Sequence, residues 1–173
     1  MHWPCAHMED SILTYKAMEA AVVSGQVRTL GVSNFNATAL EALMEAVSIP
    51  PAVNQCGFSI SGHNSPLYGR DDATRKHCAE VNVTYSAYSP LGGWTEHGTA
   101  HILHDPTVLA VARAHNKSAA QIALRWVVQQ GIVAVTGSTK AAYDIEDLGV
   151  FSFALSTAEM AALAAVRAGT DAL

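Results

Sequence analysis

Basic charge is scarce in this sequence. Ten Lys and Arg stand against fifteen Asp and Glu, a formal net charge of −5 over 173 residues. That balance argues against a nucleic-acid or anionic-membrane partner. The basic residues are scattered, and the densest pair, Arg75-Lys76, falls on a predicted helix face. Cysteine is sparse too. Cys5, Cys56 and Cys78 are odd in number and none has CxxC spacing, so they read as reduced thiols in a cytosolic-type compartment. No apolar run approaches the roughly 20 residues that cross a bilayer. His2-Trp3-Pro4 stands where the apolar region of a signal peptide would build. A transit peptide is absent, though an N-terminal truncation would remove one; the expected location is cytoplasmic. The chain also lacks GxGxxG, GxSxG, a P-loop and HExxH, which excludes the Rossmann fingerprint and the commonest hydrolase and metalloprotease signatures.

What is present is a core and a rhythm. Half the residues are apolar, enough for one sizeable domain over residues 1–173. The spacing predicts a helix from Met8 to Val23, with Tyr15, Met18 and Val22 on one face and Gly25 as its stop. A short buried strand follows from Thr29 to Val32. Asn36 is a good N-cap for a helix whose apolar face is Leu40, Leu43, Met44 and Val47. Ala52 to Gln55 reads as a strand, Asp71 to Val81 as a helix, and Asn82 to Tyr88 as a strand. A long loop is expected from Trp94 to His104. Asp105-Pro106 opens a helix in cap-then-proline order. Ser118 with Gln121 forms a capping box, followed by the stripe Ala119, Ile122, Ala123 and Trp126 and the stop Gly131. Ile132 to Val135 is the fourth strand and Lys140 to Leu148 a short helix. Ser156 with Glu159 forms a second capping box, with Leu155 stapled onto Met160, opening a helix that ends near Gly169.

Strands that alternate with helices imply parallel pairing through right-handed crossovers. These strands are apolar with little alternation, the pattern of burial on both faces. Polar residues gather after each one: Ser33-Asn34, Asn54-Gln55, Tyr88-Ser89 and Thr136-Gly137-Ser138. Any one pair alone reads as a cap or turn. Four at successive strand ends point to a site, because active sites of parallel α/β folds lie there. His97, His101 and His104 would share a helix face and could bind zinc or nickel. The segment has a Gly, no strong helix signal and no completing ligand, so loop histidines are the better reading. Cys56 and Cys78 have no identified base and are not read as nucleophiles.

Six segments, in order, carry a family resemblance. They are Met1-His2-Trp3-Pro4; Gly25 to Arg28 with Leu30 to Phe35; Pro51 to Gln55; Ala87 to Gly92; Gln121 to Trp126; and Val150 to Phe153 with Leu155-Ser156. Together they resemble the aldo-keto reductases from residue 2 to about residue 168. The resemblance implies a (β/α)8 TIM barrel, of which this α/β chain would be a partial one. It would hold about the fourth to eighth strands with their helices, leaving the barrel unclosed. Met1 is then expected to be an internal Met used, or annotated, as a start, and the chain to be the C-terminal part of the oxidoreductase domain.

The family's activity is NADPH-dependent reduction of aldehydes or ketones to alcohols by hydride transfer. By resemblance His2 is the catalytic His that polarises the carbonyl, while the family's Tyr, Lys and Asp have no counterpart here. Trp3 would line the substrate pocket. Ser33, Asn34 and Gln55 would hold the nicotinamide carboxamide, and Tyr88 would stack on its ring. Ser89, Leu91 and Gly92 would approach the pyrophosphate. Ser138, Thr139 and Lys140 would meet the 2′-phosphate, and Glu146 and Asp147 the adenine. Three departures, Gly57, Ala142-Tyr143-Asp144 and Asp147, weaken the NADP signature, so NAD(H) stays open beside NADP(H). The expected partner is a small carbonyl compound. Exposed barrel edges would favour self-association, and the isolated chain is expected to be inactive. The alternatives are a non-catalytic, nucleotide-binding regulatory relative and an inactive truncated product.

Overall fold

The computed structural model of the chain describes residues 1–63, 65, 67–92 and 98–166. Among them the order is α1 (Met8–Val23), β1 (Gly31–Ser33), α2 (Ala37–Ala46), β2 (Val53–Gly57), α3 (Asp72–Glu80), β3 (Thr84–Tyr88), α4 (Gly98–His104), α5 (Pro106–His115), α6 (Ala119–Val128), β4 (Val133–Val135), α7 (Ala141–Leu148) and α8 (Thr157–Ala164). Single 3-10 turns lie at Leu67–Gly69 and Gly149–Ser152. The strands are hydrogen-bonded in the order β1-β2-β3-β4. β1 and β2 run parallel, with Gly31 opposite Val53, Val32 opposite Asn54 and Ser33 opposite Gln55. The chain forms two compact units, Met1–Gly57 with Asn64–Ser86, and Phe58–His63 with Ala87–Leu173.

In the first unit the predicted cap Asn36 is in place, and Asp71, read as the first helical residue, proves to be a second cap. The Asn36 side chain accepts from Ala39 N at 2.9 Å, and Asp71 accepts from Thr74 N at 2.6 Å. Each satisfies an amide that the first helical turn leaves without a partner. Gly25, at a φ of 75°, stops α1. Its amide donates to Val22 O at 2.9 Å. Tyr15, Phe35, Leu40 and Leu43 are fully buried in this unit, while Met18, Met44 and Val22 are only half-buried. Glu19 reaches beyond its helix to accept from Ser48 N and Ile49 N at 2.8 and 2.6 Å. Gly31 is required by the sheet: a Cβ there would stand 2.6 Å from Val53 Cγ1, inside any tolerable contact.

In the second unit Asp105 caps α5 by accepting from Thr107 N and Val108 N, with Pro106 at the first helical position. Both predicted capping boxes close, Ser118 with Gln121 and Ser156 with Glu159. One face of α6 then holds the chain that follows it. Gln121 Nε2 donates to Glu146 O at 2.8 Å, and Arg125 donates to Val150 O at 3.1 Å. Gln129 both donates to Leu155 O at 2.7 Å and accepts from Leu155 N at 2.8 Å. Trp126 Nε1 donates to Met160 O at 3.2 Å. Residues 121, 125 and 129 recur every fourth position and so share one helix face.

Four expectations need correction. Gly98–His104 is helical rather than loop, so three helices, not two, separate β3 from β4; residues 94–97 lie outside the described ones. Ile102 is fully buried there, and that burial outweighs weak local propensity. The last helix ends at Ala164, where Ala165 N closes back onto Ala161 O and Ala162 O; Gly169 is outside the described residues. The strands begin later than predicted: Asn82 is left-handed at a φ of 58° and cannot open β3. Finally, β4 is not buried on both faces. Val133 is 51% and Val135 43% exposed, as befits a strand at one end of the order.

Candidate functional site

Each unit gathers its own group of predicted residues. In the first, β1 stops at Ser33 because Asn34 turns left-handed at a φ of 65°, a conformation Asn tolerates better than most residues. Ser33 Oγ donates to Gln55 O at 2.6 Å. The buried Asn34 amide commits both Nδ2 protons, one to Ser33 Oγ and one to His2 O, each at 3.0 Å. The structure therefore brings Ser33, Asn34, Gln55 and the His2 backbone together. The half-buried Gln55 carboxamide bonds no described residue and keeps both a donor and an acceptor. The Met1 ammonium donates to Gly31 O at 2.7 Å, and burial lowers its pKa. The His2 ring is exposed and lies 5.4 Å from Trp3, centroid to centroid.

The same unit buries two thiols, Cys56 and Cys78. Cys56 Sγ donates to Asn54 Oδ1 at 3.4 Å, and Asn54 Nδ2 approaches Cys78 Sγ at 3.9 Å. Burial pushes the Cys56 thiol up to about 12 and raises Cys78 as well. Both are held as thiols, which removes the nucleophilic thiolate.

In the second unit the predicted residues line a cavity of about 350 Å³. Leu91, Thr136, Gly137, Ser138, Glu146 and Asp147 all face it, with Tyr143. The turn after β3 is shaped by Ser89, at a φ of 51°, and Gly92, at 79°, whose amide donates to Ser89 O at 2.8 Å. The half-buried Tyr88 closes β3, and its carbonyl accepts from Phe58 N at 3.2 Å. Ser138 Oγ accepts from Lys140 N and donates to Lys140 O, both at 2.8 Å. Thr139 and Lys140 are exposed, and the Lys140 ammonium lies 5.2 Å from the Tyr143 ring centroid. Burial raises the pKa of Asp147, against a hydrogen bond from Thr136 that lowers it. Gln121 fixes Glu146 through its carbonyl, leaving the carboxylate exposed.

The remaining candidates do not converge. His101 and His104 lie on α4, and His97 is outside the described residues. Among the described residues no group of three or more His, Cys, Asp or Glu is placed to hold a metal, and no helix is long and apolar enough to cross a membrane.

The profile of the aldo/keto reductase family matches residues 1–168 of the sequence. The chain belongs to the aldo/keto reductase family. It is 35% identical to morphine 6-dehydrogenase of Pseudomonas putida over 182 residues, covering 99% of this chain and 59% of that protein. It is 36% identical to aldo-keto reductase family 1 member A1 of Bos taurus over 158 residues, covering 89% of this chain and 46% of that one. MGS-M4, an aldo-keto reductase enzyme from a Medee basin deep-sea metagenome library, superposes with a TM-score of 0.83 at 30% identity, over all of this chain and 60% of that one. The Bombyx mori aldo-keto reductase in complex with NADP superposes at 0.80 with 29% identity, over 95% and 55%. The chain thus spans about half to three-fifths of the length of these relatives. Its α/β architecture with a parallel β1–β2 pair is consistent with the family's (β/α)8 barrel.

Two features of this aldo/keto reductase chain were missed in the sequence. One is the clamp of Gln121, Arg125 and Gln129 on the segment that carries Glu146. Its signal was legible as three polar long side chains at four-residue spacing on an otherwise apolar helix. The other is the Leu67–Gly69 turn, which brings Tyr68 against Trp3. Only Gly69 marks it in the sequence, and no periodicity could show that the turn meets the N-terminus.

Proposed function

We propose that this chain supplies the cofactor-binding and carbonyl-orienting part of an NADP-dependent aldo-keto reductase that reduces aldehydes or ketones to alcohols. In this reading it contributes the fourth to eighth strands of a (β/α)8 barrel, and residues 1–173 are one part of the oxidoreductase domain. The observation that carries the reading is the second unit's cavity, because six residues singled out in the sequence from strand ends and from the family resemblance line one space of a size suited to a small ligand.

The residues fit the group. Gln55 offers an uncommitted carboxamide to the nicotinamide amide, beside Ser33 and Asn34. Tyr88 presents a ring for stacking. Ser89, Leu91 and Gly92 would approach the pyrophosphate, which the left-handed turn at Ser89 and Gly92 admits closely. Ser138, Thr139 and Lys140 would take the 2′-phosphate, with Glu146 and Asp147 at the adenine. Bound NADPH supplies the hydride. His2 donates a hydrogen bond to the carbonyl oxygen and so favours the charge that develops there. Its backbone is held by the Asn34 amide, and Trp3 stands against it as a wall of the substrate pocket. Lys140 is the sole cation from Thr136 to Leu148, so it carries the choice of NADPH over NADH. The isolated chain turns over no carbonyl, because His2 works with a proton donor that no residue here matches, and its exposed β4 edge favours self-association.

Titrating the chain with NADPH and following nucleotide fluorescence tests this. Saturable binding that weakens with Gln55→Ala and with Lys140→Ala is expected. An unchanged emission spectrum at millimolar nucleotide would refute the reading. Carbonyl-dependent NADPH oxidation by the chain that is lost in His2→Ala would overturn the expected inactivity.

A further inference from the structure

The Leu67–Gly69 turn builds a platform beside the predicted substrate wall. Trp3 and Tyr68 pack edge to face, with ring centroids 4.7 Å apart and planes at 81°. The Arg70 guanidinium lies 5.5 Å from the Tyr68 centroid. The His2 ring lies 5.4 Å from Trp3, centroid to centroid. Four side chains are thus joined by successive contacts, three of them aromatic rings and the last a cation, all within the first unit.

The backbone holds this arrangement at a cost. Tyr68 is left-handed at a φ of 60°, which an aromatic residue adopts only where its surroundings impose it. Gly69 imposes it from below. At a φ of 70° it sits where a Cβ would stand 2.5 Å from Phe35 O and 2.7 Å from Cys56 Sγ. The buried Tyr85 hydroxyl donates to Gly69 O at 2.7 Å. An isolated bridge between Ser65 and Arg70 closes the turn. The turn is therefore seated on the core, while Tyr68 above it stays 37% exposed.

Arg70 has capacity left. Its Nε donates to Leu67 O at 3.4 Å, and among the described residues no carboxylate pairs with it. A planar guanidinium with its terminal nitrogens available donates two parallel hydrogen bonds to a carboxylate. The cation–π attraction to the Tyr68 ring favours keeping the group beside it.

We propose that Tyr68 and Arg70 form a specificity wall of the carbonyl site, selecting planar, unsaturated carbonyl compounds that carry an anionic group. The aromatic corner takes the flat body, Arg70 takes the carboxylate, and His2, beside Trp3, serves the carbonyl. Tyr68 is a positioning residue for Trp3 as well as a contact. The inference rests on the reading of His2 and Trp3 as the carbonyl-facing residues.

The test is binding to the full 173-residue chain, read by tryptophan fluorescence, with Trp3→Phe identifying the signal that belongs to Trp3. The probes are 4-carboxybenzaldehyde, benzaldehyde and cyclohexanecarboxaldehyde. The carboxylated aromatic should bind about tenfold more tightly than benzaldehyde, the scale of one charge-assisted contact, and the saturated aldehyde most weakly. Arg70→Gln should erase the carboxylate preference while leaving the preference for the aromatic ring. Tyr68→Leu should erase the aromatic preference, and Tyr68→Phe should restore it. Unfolding midpoints taken alongside separate these effects from misfolding. Equal affinity for all three probes, or a carboxylate preference that survives Arg70→Gln, overturns the proposal. NADPH titrated in parallel keeps the two readings apart. Nucleotide binding without probe discrimination sinks this inference alone, and probe discrimination without nucleotide binding sinks the cofactor reading alone.

Discussion

Tyr15 is the largest of the fully buried side chains on α1, and its hydroxyl has no hydrogen-bond partner among the described residues. Burial, with Glu19 nearby, pushes its pKa up to about 12, so the phenol stays protonated and its polarity is uncompensated. Tyr15→Phe removes that oxygen and keeps the ring. We expect it to leave stability unchanged or raise it by about 1 kcal/mol, checked by urea denaturation. Gly31 makes the opposite case. Gly31→Ala pushes a Cβ into Val53 and should destabilise by roughly 1–3 kcal/mol. Lys140 belongs to the same scale. Lys140→Ala should weaken NADPH by about ten- to a hundredfold and NADH hardly at all, since the loss of one charged phosphate contact is about 1.5–3 kcal/mol; paired titrations of the two nucleotides check it. Lys140 could be chosen from the sequence because it is the local cation. The unpartnered Tyr15 hydroxyl could not, because a sequence shows that a residue faces inward but not what it meets there.

At the scale of elements, α6 joins two motifs that are distant in the sequence. Gln121, Arg125 and Gln129 bond the backbone at Glu146, Val150 and Leu155, so the Gln-to-Trp motif and the closing Val-Phe-Ser-Phe segment are two sides of one contact. Gln121→Ala should loosen Glu146 and Asp147, cost about 1–2 kcal/mol, and weaken nucleotide binding without touching it directly. α8 carries a pH dependence. Glu159 accepts from the Ser156 amide and hydroxyl and pairs with His115 at 2.8 Å. Its pKa is lowered, first by the Ser156 backbone bond and then by the Ser156 hydroxyl. A depressed carboxylate contributes stability above its unfolded pKa and loses it as pH falls through the folded one. The unfolding midpoint of the chain should therefore drop on acidification through the range below pH 4.5, and Glu159→Gln should flatten that part of the drop. The caps at Asn36, Asp105, Ser118 and Ser156 were all legible, because a cap is a local arrangement between one side chain and an amide two or three residues on. The helix α4 was not, because Ile102 earns its place by burial among residues remote in sequence.

For the whole molecule, the exposed strand β4 has the most direct consequence. Val133 and Val135 face solvent with Ile145, Leu148 and Phe151 also exposed nearby in sequence. An apolar strand at the end of a sheet invites pairing with another chain. Sedimentation velocity should show self-association that grows with protein concentration, and Val133→Lys should reduce it. A monodisperse monomer across the concentration range would count against this. The sequence by itself determined the alternation of strands and helices, the caps, the family and the candidate residues at successive strand ends. All of these depend on contacts within a few residues or on motif order, which survive in one dimension. Only the tertiary structure decided that Asn34 donates an amide proton to His2 O, that α6 anchors the chain bearing Glu146, and that Tyr68 stands against Trp3. Those depend on which backbone passes within about 3–5 Å of which, a distance that burial and packing set and that no spacing along the chain encodes.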